Sequence, residues 1–158
     1  MAASEIKDLI GTSTALTITL ASLGSSTSGV GRQSDIIDNT TVRYQLIRIY
    51  LKFKQGTSPT GNKSVYVYAI RDDNDATNHR TDGAGSADAA LTVLNAPLVG
   101  VGYNKSSPAT GDIIYVECDI WHPGKKWGIA VVHDTGVNAD STGGNHWARY
   151  QGFNPESQ

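Results

Sequence analysis

The chain holds a single cysteine, Cys118, so no intrachain disulfide can brace its fold. Charge of either sign is sparse, 18% of residues, and 13 basic side chains against 15 acidic ones leave a formal net charge of −2. That balance gives no general attraction to nucleic acid, and no nucleic-acid partner is expected. Long apolar runs are missing. No stretch approaches the roughly 20 residues of a membrane-spanning helix, so no membrane partner is expected either. Met1 to Asp8 contain no basic segment followed by an apolar one, and no secretory signal is expected there. The sequons at Asn39, Asn62 and Asn104 then read as by-products of an Asn-, Thr- and Ser-rich composition rather than as glycan sites.

Sustained helical periodicity is also missing, and what stands in its place is alternation. Short runs of period two recur between turns rich in Gly, Ser, Thr, Asn and Asp, which is the pattern of an all-β chain. With 158 residues, 39% of them hydrophobic, and 17 glycines, the chain suits one domain with long polar loops. A domain of this size buries roughly 68–70% of its unfolded surface, so it needs no disulfide or metal to fold.

Residues 1–12 read as an N-terminal arm, in which Ile6, Leu9 and Ile10 suit one helical turn. Ala15 to Leu20 alternates as a strand, with Leu16, Ile18 and Leu20 on one side. In the run from Val42 to Lys54, Ile47, Ile49, Leu51 and Phe53 share one phase, whereas Val42, Tyr44 and Leu46 occupy the other. That phase change predicts a bulge or bend near Leu46. Val65, Val67 and Ala69 alternate with Tyr66, Tyr68 and Ile70. Further strands are expected at Ala89–Leu94, Leu98–Tyr103, Asp112–Trp121, Trp127–His133 and His146–Phe153, with a tail over 154–158. Two long polar loops, Asp72–Asp88 and Thr135–Asn145, interrupt the series, and Val137 is the one large hydrophobe of the second. About eight antiparallel strands with short turns between most of them predict a single-domain, jelly-roll-like β-sandwich over residues 13–153.

The same residues offer little catalytic chemistry. Asp72-Asp73-Asn74-Asp75 is the densest acidic cluster, but no Gly or closing Glu falls where a calcium-binding EF-hand loop needs it. His79, His122, His133 and His146 are scattered, without H-x-x-x-H spacing and without a nucleophile elbow. Gly29-Val-Gly31 and Gly83-Ala-Gly85 precede no helix that would carry a phosphate. No catalytic residue, metal ligand or cofactor is therefore assigned, and Cys118 reads as a small buried hydrophobe. The aromatic residues suit packing, a protein interface or a sugar platform, with Tyr66, Tyr68, Trp121 and Trp147 as the sugar candidates.

The segment Gly31-Arg-Gln-Ser-Asp-Ile-Ile-Asp-Asn-Thr40 and the long alternating strand after it resemble small virion structural proteins of tailed bacteriophages. Trp127-Gly-Ile-Ala-Val-Val132 and Ala148-Arg-Tyr-Gln-Gly152 carry the same resemblance. It implies a non-enzymatic capsid decoration, or cement, protein with a jelly-roll-like body. Such a protein is assembled in the bacterial host cytoplasm and sits on the capsid exterior of the virion. Its implied partners are the major capsid protein and further copies of itself, as a homotrimer. The candidate contact residues are Ile6, Leu9 and Ile10 of the arm, Tyr66 and Tyr68, Asp72, Asp73 and Asp75 of the first long loop, and Val137 of the second. A tail- or fibre-associated virion protein and a carbohydrate-binding β-sandwich module are the alternatives.

Overall fold

A computed structural model describes residues 6–72, 87–91 and 96–157. Among them run β1 (Ile6–Ile10), β2 (Thr14–Leu16), β3 (Val30–Gln33), β4 (Ile37–Asp38), β5 (Leu46–Lys54) and β6 (Ser64–Asp72). There follow β7 (Ala89–Ala90), β8 (Leu98–Tyr103), β9 (Ile113–Trp121), β10 (Lys126–His133) and β11 (Trp147–Ser157). The only helical element among the described residues is a 3-10 turn at Gly143–Asn145. The protein is all-β, built of two antiparallel sheets.

In the first sheet the order is β1-β11-β5-β9, with β2 beside β1 on the same partner strand. Strand β1 pairs with Phe153–Ser157 and β2 with Ala148–Tyr150, so the two share the long β11 end to end. In the second sheet the order is β7-β3-β10-β6-β8, and β4 pairs with the start of β10 as β3 pairs with its end.

One cluster of buried side chains draws on both sheets, which places the core between two facing layers. Ile47, Ile49, Leu51 and Phe53 of β5 and Ile114, Val116, Cys118 and Ile120 of β9 meet Val65, Val67 and Ala69 of β6 and Trp127, Ile129 and Val131 of β10. Full burial of each large aliphatic side chain contributes about 1.5–3 kcal/mol. The alternation of β5, every second residue buried, is the expected signature of a sheet with one wet face. Strand β10 breaks that rule, because seven consecutive residues from Trp127 to His133 are buried. Its outward residues Ala130 and Val132 join Ile70, Leu91 and Ala96 in a second cluster, with Tyr66, Tyr68 and Ile36 packed against it. The outer face of the second sheet is thus covered over β10 and β6, with Leu91 and Ala96 among the covering residues, while Leu98 and Tyr103 of the edge strand β8 stay 49% and 73% exposed.

The structure refines three sequence expectations. Residues Ile6–Ile10 form an extended edge ribbon rather than a helical turn, because the tail residues supply a ladder partner. The strand expected over Ala15–Leu20 stops pairing at Leu16, opposite Ala148 and one residue from the start of β11. Beyond it the Thr17 carbonyl accepts the Asp35 N–H, as the chain crosses to the other layer. The phase change near Leu46 is where β5 begins, and the residues before it form a turn with Arg43 at φ 56°.

Candidate interaction surface

The outer face of the first sheet is the broad surface that the described chain leaves open. Period two fixes its members, because residues paired in register across antiparallel strands point to the same side. Trp147, Lys52 and Tyr115 form one row across β11, β5 and β9. Arg149, Tyr50 and Glu117 form the next, then Gln151, Arg48 and Asp119, then Phe153, Leu46 and Trp121. Ile10 extends the last row through its pairing with Phe153. Tyr115 is 64% exposed, Trp121 59% and Ile10 56%. Half-buried polar sheets seldom leave such large rings in water, and contiguous exposed apolar groups mark interaction sites.

The two ends of the face are aromatic and its middle is charged. The Tyr115 and Trp147 rings lie 6.4 Å apart at a tilt of 51°. At the other end the Trp121 ring lies 6.5 Å from that of His122. Between them Arg48 forks onto Asp119, Nε to Oδ1 at 2.8 Å and a second guanidinium nitrogen to Oδ2 at 3.0 Å, with Glu117 3.5 Å from Nε. Hydrogen bonding to Asp119 and its charge raise the Arg48 pKa above the ordinary arginine value. The same guanidinium sits 5.5 Å from the centre of the Phe153 ring. Exposed pairs of this kind contribute only ~0–1 kcal/mol to folding, so their main effect is to fix side-chain orientation. Arg149 is held by the Ser13 hydroxyl and carbonyl, and the Gln151 amide donates to the Gly11 carbonyl.

The ionisable groups inside the molecule are committed to structure. His133 is fully buried, with Nε2 2.9 Å from the Leu23 carbonyl and Nδ1 2.9 Å from the Thr135 hydroxyl. His146 lies with Nε2 2.9 Å from the Asp140 carbonyl, and its Nδ1 receives the Lys54 N–H. Burial lowers both histidine pKa values, so both rings are neutral, and they flank Phe53 at 4.7 and 5.5 Å. Burial, with Asp119 and Glu117 nearby, pushes the Cys118 thiol up to about 12, which keeps it protonated. Among the described residues no three His, Cys, Asp or Glu side chains converge as metal ligands, and no helix is long and apolar enough to cross a membrane.

The residues singled out from the sequence are dispersed. Leu9 and Ile10 are exposed on β1, and the Ile6 backbone pairs with Ser157. Tyr66 and Tyr68 are half-buried on the outer face of the second sheet, against the second apolar cluster, and burial raises the Tyr68 pKa. Asp72 ends β6 opposite Lys126, while Asp73 and Asp75 lie outside the described residues. Val137 is half-buried in its loop, with its carbonyl oxygen 3.2 Å from the Thr135 hydroxyl oxygen. Of the contact candidates whose side chains are described, Ile10 reaches the open face, and the sugar candidates Trp121 and Trp147 lie on it as well. Tyr115, Tyr50, Arg48 and Phe153 were not singled out, although the alternation of Ile113–Trp121 already separates Tyr115 and Trp121 from the core. Comparison with protein-family models, with curated proteins and with solved structures finds no match.

Proposed function

We propose that the chain is a non-enzymatic virion structural protein of the tailed-phage type, a capsid decoration protein that binds the outer surface of the major capsid protein lattice as a homotrimer. The observation that carries the reading is the contrast between the two sheets. The outer face of one is covered over its central strands β10 and β6 by the protein's own chain, and that of the other is an open field rimmed by Tyr115, Trp147, Trp121 and Phe153. Three to four strands of about nine residues span roughly 500 Å² in projection, the scale of one partner's share in a small to standard interface. Aromatic anchors at a rigid face are the residues that dominate binding energy in such contacts. A protein bound across neighbouring capsid subunits stabilises the shell by mass action.

The strand order supports a jelly roll. Joining β1 to β2 and β3 to β4, which share partner strands, and leaving out the two-residue β7 reduces the chain to eight strands. In that count the first pairs with the eighth, the second with the seventh, the third with the sixth and the fourth with the fifth. This is one long antiparallel hairpin wrapped into two layers, the architecture found in viral shell proteins and lectins.

The test is cosedimentation with expanded, empty tailed-phage heads, with light scattering for the oligomer. Binding to heads is expected, and Tyr115→Ala and Trp147→Ala should each weaken it about tenfold or more while leaving the melting temperature unchanged. Binding to tails instead would move the protein to the tail-associated reading. The tilted Tyr115–Trp147 pair favours one further alternative, a carbohydrate-binding module. Saturable binding on a glycan array without binding to heads would establish that alternative and reject decoration.

A further inference from the structure

Beside the Trp121 end of the open face, the β4–β5 connection and the β9–β10 turn enclose a groove of about 570 Å³, within the range of ligand-binding clefts. Its rim carries two cations, Arg43 and Lys125, and the ring of His122, all exposed. Among the described residues no Asp or Glu lines it, although the chain as a whole is net acidic. The nearest carboxylate in sequence, Asp38, is turned to the Thr40 N–H and hydroxyl at 2.7 and 2.5 Å. Its floor is less polar, with Pro123 buried and Tyr44 half-buried.

The groove is built rather than incidental. Asn39 is 5% exposed and joins the two walls. Its amide donates to the carbonyls of Tyr44 and Gly124, its side-chain oxygen accepts the Tyr44 N–H, and its own N–H donates to the Lys125 carbonyl. The His122 N–H closes the second wall onto the Gln45 carbonyl. Arg43 and His122 both hold left-handed backbone, at φ 56° and 50°, a conformation that non-glycine residues adopt at an energetic cost. Strain of this kind collects at ligand clamps and is maintained only where the surroundings impose it. Here it aims two polar side chains over one cleft.

We propose that this groove binds an acidic peptide segment, with Arg43 and Lys125 meeting its carboxylates, His122 donating a hydrogen bond, and Tyr44 and Pro123 receiving its apolar side chains. A small inorganic anion fits less well, because the cations stand on an open rim and the floor offers a hydrated ion little. An extended chain with carboxylates flanking apolar or aromatic residues matches both parts of the groove. The inference does not depend on a capsid, since any protein with such a segment would satisfy it.

The test uses an array of decapeptides in which Glu or Asp flank Tyr or Leu, beside a matched set with Gln and Asn in place of the acids. Binding is read by titration calorimetry and by amide shifts of the labelled full chain, with inorganic phosphate as a separate arm. Acidic members should bind saturably, shift residues 39–45 and 122–125, and weaken as salt rises. Lys125→Glu and Arg43→Glu should each cut affinity about tenfold with the melting temperature unchanged. Absence of binding across the acidic set, equal binding by the neutral set, or shifts mapping elsewhere would overturn the proposal. Phosphate binding as tightly as the peptides would replace it with a small-anion site.

Discussion

Arg32 shows how much one side chain can hold in a molecule without disulfides. It is nearly buried, its Nε lies 2.6 Å from Asp88, and its Nη1 donates to the carbonyls of Thr19 and Ala21. The other Asp88 oxygen accepts the Gly24 N–H, so one ion pair ties the segment before β7 to the crossing chain after β2. Arg32→Ala should cost about 3 kcal/mol in urea unfolding, because it strands a carboxylate and two carbonyls. Arg32→Lys should recover only part of that loss, since an ammonium lacks the fork. The buried histidines set the response to acid. His133 and His146 have folded pKa values below their unfolded value near 6.5. Between the folded values and about 6.5 the unfolded chain binds more protons, so stability rises with pH in that window and falls on acidification through it. Unfolding free energy should therefore decline from pH 7.5 to 5, and His146→Gln should make that decline shallower. The depressed carboxylates Asp38, Asp112 and Asp140 add their own loss only as pH falls through about 4 and below.

Strand β8 explains two glycines that alternation leaves open. It closes the second sheet against β9 of the first. A Cβ on Gly100 would lie 2.7 Å from the Cys118 Cβ, and one on Gly102 2.6 Å from the Cγ2 atoms of both Ile114 and Val116. The layers approach too closely there for any side chain. Gly102→Val should lower stability by about 2 kcal/mol or more, read as a shift in denaturation midpoint. It should also raise the reactivity of Cys118 toward a thiol reagent, because the neighbouring strand must move away from β9. The register of β8 slips between Val67 and Tyr68 of its partner, where Val99 has no opposite residue. Sequence alternation placed an irregularity in Val42–Lys54 instead, and a turn occupies that position. A period-two pattern marks where phase changes and does not distinguish a bulge inside a ladder from a ladder's first residue.

At the scale of the whole molecule, the proposed function rests on which sheet face stays open. On the decoration proposal, Tyr115→Ala combined with Trp147→Ala should reduce head binding without changing the circular-dichroism spectrum, whereas Tyr66→Ala should lower the melting temperature through the second cluster. Alternation in the sequence separated Ile47, Ile49, Leu51 and Phe53 from Arg48, Tyr50 and Lys52, and Val65, Val67 and Ala69 from Tyr66 and Tyr68. Local sterics and the hydrophobic effect suffice for that, since neighbouring residues of a strand must point to opposite sides. The all-β class and the inward sets of β5, β6 and β9 were thus determined by the chain itself, whereas β10, apolar on both sides, carries no such choice in its sequence. Whether an outward tyrosine meets water or its own chain was decided only when distant segments returned across the second sheet. The groove between residues 39–45 and 122–125 likewise exists because strand pairing brings together two turns some eighty residues apart. Those outcomes depend on long-range closure, whose energy is shared among many contacts and is written into no single local pattern.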